Sequence, residues 1–312
     1  MLLPTVLAVP FAESLVEQGL LVPAGPLGVP GRGAVFEAVL SAFDALVLRA
    51  AHTDGAQPLL FPPVIDRAIL ERTGYLEGFP TLCGSVHAFV GTEAEATAFA
   101  ARVARGDGWD GAMAPTDLVL TPAACYPFYP TCRGILPADG RHVTMRGWVF
   151  RQEPSAEPTR LRAFRVREFV RVGAPAEVLA WRDAWRVRGE SLLRALQLDV
   201  RADAASDPFF GRAGRMLANG QRQQQLKFEL LVPVNDNGAP TACCSFNYHL
   251  DKFGSAFDIQ LAAGGVAHTA CLGFGMERVV LALFRAHGLD PVAWPDAVQR
   301  QLWPDGGAGR AP

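Results

Sequence analysis

Long apolar runs are missing from this sequence. None reaches the roughly 18 to 20 residues that a membrane-spanning helix needs, which excludes a helical span. Lysine is nearly missing too, with 2 lysines against 27 arginines. With a net charge of only −2, that ratio reads as genomic composition bias rather than as a nucleic-acid-binding device. Cysteine is sparse, six in 312 residues: Cys83, Cys125, Cys132, Cys243, Cys244 and Cys271. The opening MLLPTVLAVPFAESL lacks a basic n-region and carries an early proline and glutamate, so neither signal peptide nor anchor is expected. Few thiols and no export signal point to reduced cysteines in the cytoplasm, with metal binding or catalysis as the alternatives to inert burial. Core-forming residues are abundant. Half the chain is hydrophobic and 19% is charged, enough for one large domain or two small ones and too apolar for wholesale disorder.

Residues 1–32 are rich in proline and glycine and read as an N-terminal arm, with the rest, 33–312, as one catalytic-sized domain. GAVFEAVLSAFDALVLRAA sets Phe36, Leu40, Phe43 and Val47 at helical spacing. PLLFPPVIDRAIL predicts a strand-like entry, broken by Pro62 and Pro63, and then a short helix. TDLVLTPAACYPFYP predicts a strand running into a proline-rich loop. RGWVFRQE and RLRAFRVREFVRVG both alternate and, with EPSAEPT between them, form a long hairpin. A helical stretch follows, making a helical insert at about 175–222. KFELLVPV, TACCSFNYHL and HTACLGFG then supply further strands, the last running into the helix MERVVLALFRAHG. Hairpins and long excursions replace regular βα alternation, which favours an α+β domain on an antiparallel sheet.

Residues of equal parity share a strand face. Arg162, Phe164, Val166 and Glu168 therefore point one way, and Val149, Arg151 and Glu153 share a face on the partner strand. If those faces coincide, the hairpin offers an aromatic ring for a base, arginines for phosphate and carboxylates for a metal or a polar edge. A solvated, salt-bridged hairpin has the same alternation, and Arg165, Arg167 and Arg171 on the opposite face fit that description better. In the last strand Thr269, Cys271 and Gly273 share a face, and Arg278 opens the helix, where anions are favoured. Tight strand–helix packing would use the same glycines.

FRQE, RAFRVRE and GFGMER, taken in order, resemble motifs two and three of class II aminoacyl-tRNA synthetases, and KFELLVPV is nearest the seryl-tRNA synthetases. TPAACYPFYP, FRQEPS, FRVREFVR, CSFNYH and GFGMER resemble more closely a family of truncated zinc-dependent relatives, the amino acid:[carrier protein] ligases. The resemblance spans residues 30–290 or so and implies a class II synthetase-like catalytic domain, an antiparallel sheet flanked by helices. It implies a homodimer formed through helix 33–51 and FPPV at 61–64.

It also implies roles. Arg151 would hold the ATP α-phosphate, Glu153 the adenine side, Phe164 the adenine ring and Arg278 the γ-phosphate end. Arg160, Leu161, Lys227 and the run Ala242, Cys243, Cys244, Ser245 would complete the ATP contacts. Cys125, Glu168 and Cys271 would bind one Zn²⁺ per subunit with a position open for the substrate amino group, a functional rather than a structural site. Cys132 fits the first ligand position less well. Asn247 would shape the substrate pocket, and His249 and His268 read as pocket or core histidines. The implied reaction is ATP–Mg²⁺-dependent activation of glycine or alanine and transfer to the phosphopantetheine thiol of a carrier protein. TACCS lacks the acidic residue that the wider synthetase pattern places before motif three for Mg²⁺. Synthetases of this type carry a separate tRNA-binding domain, and with only some 30 residues before the first helix, tRNA is not the expected acceptor. Arg182, Arg186, Arg188, Arg194, Arg201, Arg212, Arg215 and Arg222 in the insert are the candidate dock for an acidic carrier. A synthetase fragment acting on tRNA or a small acceptor, and a non-catalytic zinc- and nucleotide-binding relative, are the competing readings.

Overall fold

The computed structural model describes residues 10–207 and 220–306. Its centre is a seven-stranded sheet built from β1 (Gln57–Leu59), β2 (Arg141–Phe150), β3 (Ala163–Gly173), β4 (Arg201–Ala204), β5 (Lys227–Pro233), β6 (Pro240–Tyr248) and β7 (His268–Gly275). The spatial order is β4-β5-β6-β7-β3-β2-β1, antiparallel throughout except for the parallel pair β1 and β2. The expected hairpin is β2–β3, and its register sets Val149 opposite Phe164. Directly opposed residues share a face, so the two polar faces do coincide.

Five helices complete the back of the sheet: α1 (Phe11–Glu17), α2 (Ala34–Ala50), α3 (Pro175–Ala195), α4 (Met276–His287) and α5 (Asp296–Leu302). α2 buries Phe36, Val39, Leu40, Phe43 and Val47, the apolar stripe that its helical spacing predicts. Phe43 meets Phe274 of β7 edge-on, with ring centroids 5.6 Å apart. α3 lies close under the sheet because Gly189 faces Phe246: a Cβ there would stand 2.8 Å from the ring. Trp185 packs on Phe169 of β3 at 4.8 Å. α3 packs into the main core through Trp185 and Leu193.

The arm is not irregular throughout. Phe11 and Leu15 of α1 are buried in the same core, and residues 21–22 pair with 31–32 in a short ribbon. The opposite face of the hairpin is also not solvated. Arg167 is buried and makes two 2.7 Å bonds to Asp44 of α2, while Arg165 bonds Glu37 of α2 and Glu277 of α4. Alternation places these arginines correctly. Their burial depends on acidic partners in distant helices, which strand parity does not reveal.

On the front face a second core joins Val143, Met145, Val149, Val166 and Val170 to Phe128, Tyr129, Phe253 and Phe257. The proline-rich turn Tyr126–Cys132 and the short helix Lys252–Ala256 roof one end of the sheet. A three-stranded sheet (Val64–Asp66, Ser85–Phe89, Met113–Leu120) flanks it. No helix among the described residues is long and apolar enough to cross a membrane.

Candidate active site

Strand register assembles the front face. Glu168 of β3 opposes Gly273 of β7, Gly273 opposes Ser245 of β6, and Ser245 opposes Glu229 of β5. One step along, Cys271 opposes Asn247, which opposes Lys227. Four strands therefore bring their polar side chains to one surface, with Phe164 at the hairpin end.

Arg151 leaves β2 one residue beyond its end, its N–H donating to the Arg162 carbonyl at 2.9 Å. Its guanidinium sits 5.6 Å from the Phe164 ring, and its Nε lies 3.4 Å from the Pro122 carbonyl. Arg278, in the first turn of α4, donates Nε–H to the Thr159 carbonyl and Nη1–H to the Ala242 carbonyl, both at 3.0 Å. It ties the loop between β2 and β3 to the start of β6. Burial and then the neighbouring Arg151 charge lower the Arg278 pKa, against the smaller opposing pull of Glu153 and Glu229. Two neighbouring guanidinium groups are suited to a polyanion. Glu153 lies half-buried beside them, Arg160 is exposed and paired with Glu157, and Leu161 is buried.

Cys125, Glu168 and Cys271 are all buried on this face. Glu168 Oε1 accepts from the Ala124 N–H at 3.2 Å, whereas Oε2 is buried without a hydrogen-bond partner. Burial and the Cys271 sulfur push the Glu168 carboxyl up to about 7. A hydrogen bond between the two thiols holds Cys271 as the more acidic sulfur and pushes Cys125 well above the ordinary thiol range. Asn247 Nδ2 lies 3.4 Å from the Cys271 sulfur and His249 Nε2 lies 3.6 Å from it. As the side chains stand, no three His, Cys, Asp or Glu donors among the described residues close into a metal-holding group. The contacts among these three are hydrogen bonds, which a cation would replace. Two sulfurs and an orphaned carboxylate oxygen form a donor set suited to a thiophilic divalent cation.

Other expectations land elsewhere. Cys244 shares the parity of Phe246 and so faces the back core, and the register shift between Leu230 and Leu231 leaves Cys243 as an extra residue that joins it there, so only the backbone of that pair is offered to the front. Lys227 is already paired: its Nζ lies 2.5 Å from Asp207 and 3.1 Å from Glu229. Cys132 is buried with its sulfur toward the Phe128 carbonyl, and His268 meets the Tyr248 hydroxyl.

Among the candidate docking arginines, Arg182 is buried, Arg188 bonds Asp54 at 2.8 Å, and Arg186 lies over Phe228. Arg194, Arg201 and Arg222 are exposed, and Arg212 and Arg215 fall outside the described residues. Sequence reasoning missed Tyr129, whose buried hydroxyl lacks a partner, and also Glu229 and Asp207. Glu229 was legible from its parity with Lys227, but Asp207 carried no local signal.

No protein-family model matches the chain. The structure resembles the seryl-tRNA synthetase of Methanopyrus kandleri solved with A. aeolicus tRNASec, at a TM-score of 0.83 and 22% identity. That match covers 98% of this chain and 62% of the other. It also resembles the Pyrococcus horikoshii seryl-tRNA synthetase complexed with ATP, at a TM-score of 0.69 and 14% identity, with 94% of this chain and 62% of that one covered. The chain thus spans somewhat less than two thirds of these synthetases, and the likeness establishes the class II synthetase fold. Amino acid--[acyl-carrier-protein] ligases 1 and 2 of Bradyrhizobium diazoefficiens are each 47% identical. The first matches over 278 residues, 88% of this chain and 85% of the relative; the second over 280 residues, 89% and 84%. At that identity and coverage, the chain belongs to the amino acid--[acyl-carrier-protein] ligase family.

Proposed function

We propose that the protein activates a small amino acid, glycine or alanine, with ATP and delivers it to the phosphopantetheine thiol of a carrier protein. The observation that carries this reading is a single sheet face on which Arg151 over Phe164, the Cys125–Glu168–Cys271 group and Arg278 stand together. In the first step a carboxylate oxygen attacks the α-phosphorus of ATP. The bond from that phosphorus to the bridging oxygen breaks, and pyrophosphate leaves with the electron pair. In the second step the thiol, its proton passed to a base, attacks the adenylate carbonyl and AMP leaves. No side chain needs to form a covalent bond, so the protein's part is positioning and electrostatic stabilisation.

Arg151 binds the α-phosphate, where negative charge concentrates as the fifth oxygen approaches. Phe164 stacks the adenine, with Glu153 at the base edge and Arg160 and Leu161 from the loop closing over the nucleotide. Arg278 binds the far phosphate. The Ala242–Ser245 backbone and Lys227 line the floor, with Lys227 acting as a neutralised structural ammonium. Mg²⁺ would accompany ATP, and Glu229 of β5, directly opposite Ser245 of β6, would be a carboxylate available to it. Cys125, Glu168 and Cys271 hold one Zn²⁺, which when bound would supply an open coordination position for the substrate amino group. The unpartnered Glu168 Oε2 supports this assignment. Asn247 limits the space beside the substrate's Cα, favouring small side chains by exclusion.

The acidic carrier docks near the exposed Arg194, Arg201 and Arg222, and two chains pair through the α2 and FPPV region, where Leu60 is 82% exposed. Incubating the protein with ATP, glycine or alanine, and either phosphopantetheinylated carrier or tRNA tests the acceptor. A carrier that gains the mass of one aminoacyl group supports the proposal, and charging of tRNA alone would replace it with the synthetase reading.

A further inference from the structure

Residues 19–33 do more than lead into α2. Val22 pairs with Gly31 and Leu21 with Arg32, closing a loop whose base is pinned by the buried Leu20 and Leu21. Two contacts leave this loop for the nucleotide end of the hairpin. The Gly28 carbonyl accepts the Arg162 N–H at 2.8 Å. Gly28 adopts φ +78°, and a Cβ there would stand 3.0 Å from Arg162 Cγ and 3.1 Å from its nitrogen, so the approach requires glycine. The Arg162 carbonyl in turn takes the Arg151 N–H. One peptide step therefore separates the loop from the arginine assigned to the α-phosphate.

The second contact is Arg32. Its side chain is 8% exposed, with Nη2 donating to the Ala163 carbonyl at 3.0 Å and lying 3.4 Å from the Glu277 carboxylate. Nη1 donates to the Pro30 carbonyl at 2.8 Å, and the guanidinium lies 5.1 Å from the Trp148 ring centroid. Glu277 also accepts the Arg165 N–H at 2.8 Å and its Nε–H at 2.9 Å, which locks the first turn of α4 against β3. The next residue is Arg278. The loop is thus joined to Arg151 by backbone hydrogen bonds and to the residue before Arg278 by the Arg32–Glu277 ion pair, and among the described residues no hydrogen bond or ion pair links it to the proposed amino-acid-binding residues.

We infer that residues 22–32 form a strap that positions Arg151 and Arg278 for ATP, with Arg32 as its principal positioning residue. The inference rests on the ATP-activating reading. A rigid strap keeps two mutually repelling guanidinium groups at a fixed separation before the nucleotide arrives, which lowers the reorganisation that binding requires. Its signature is selective: nucleotide affinity depends on it, and capture of the amino acid does not.

The test measures amino-acid-dependent ATP–pyrophosphate exchange in the full-length wild type, Arg32→Ala, Arg32→Lys and Gly28→Ala, with circular dichroism and melting curves for each. Losing a charge-assisted contact should raise KM for ATP on the order of tenfold in Arg32→Ala, with KM for the amino acid unchanged. Arg32→Lys, which keeps the charge but not the fork, should recover part of the loss. Gly28→Ala, which attacks the other path, should again raise KM for ATP alone. Folded variants with unchanged KM for ATP, or with both KM values raised in parallel, would overturn the strap. A wild type that exchanges nothing would instead overturn the ATP reading on which it stands.

Discussion

The Ala124 N–H donates to Oε1 of Glu168 at 3.2 Å and leaves Oε2 buried with no partner. A buried carboxylate oxygen without a donor costs free energy, about 1–3 kcal/mol or more when charged, unless something occupies it. Cys125 and Cys271 adjoin the same group, and the proposed zinc would be shared by all three. Purified protein should carry about one zinc per chain by plasma emission. In Glu168→Gln and Cys125→Ser the zinc affinity should fall by more than the roughly 10–100-fold that loss of an outer-shell partner costs. Full zinc content in both variants would contradict the assignment.

Arg151 lies over Phe164, and among the described residues its side chain makes a single long hydrogen bond, to the Pro122 carbonyl. Arg151→Ala should therefore fold normally yet lose on the order of 10²–10³ in kcat for exchange, as when a preorganised charge stabiliser is removed. Arg278→Ala should lose activity and stability together, because Arg278 also ties Thr159 to Ala242. Comparing kcat with the urea midpoint for the two variants separates these effects. Equal destabilisation would count against the distinction.

Asp44 accepts from Arg167 at 2.7 Å twice and from Arg146 at 3.1 Å. Asp44→Ala strands a buried guanidinium, which should cost about 3–5 kcal/mol in urea unfolding. A loss under about 1 kcal/mol would show that water reaches Arg167.

The Asp207–Lys227 pair predicts a pH dependence. Burial alone would raise the Asp207 carboxyl, but the Lys227 ammonium outweighs it and holds the carboxyl below the usual range. A folded pKa below the unfolded one gives stability that is present above the unfolded value, about 3.9, and lost as pH falls through the folded value. The stability gap between wild type and Asp207→Asn should be constant from neutral pH to about pH 5 and should narrow below about pH 4. Lys227 is raised despite its burial, by Asp207 and then Glu229, so its contribution is lost only above the ordinary lysine range. A gap that widens on acidification would refute the pairing.

Much of this site was legible in the sequence because strand parity is a local rule. RAFRVRE fixes which side Phe164 and Glu168 share, and HTACLG does the same for Cys271 and Gly273, so the front face could be written down before any pairing was known. Which residues meet across strands depends on register, and a single irregularity at Leu230–Leu231 turns Cys243 to the core beside Cys244, which parity alone already places there. The fates of charged residues were less legible. Arg165, Arg167, Arg182 and Arg188 look solvated in an arginine-rich chain, and only distant acids or burial under the sheet explain them. The arm was opaque for a related reason. Its prolines and glycines signal irregular backbone, whereas the bonds that tie Gly28 to Arg162 and Arg32 to Ala163 span more than a hundred residues of sequence.

Amino acid activation on the front face stands or falls on ATP–pyrophosphate exchange by zinc-loaded protein with glycine, alanine or serine, before and after chelation. Exchange should occur with glycine or alanine, disappear when zinc is removed and return when it is restored. Folded, metal-loaded protein that exchanges with none of the three would contradict it and leave a synthetase-like binding protein.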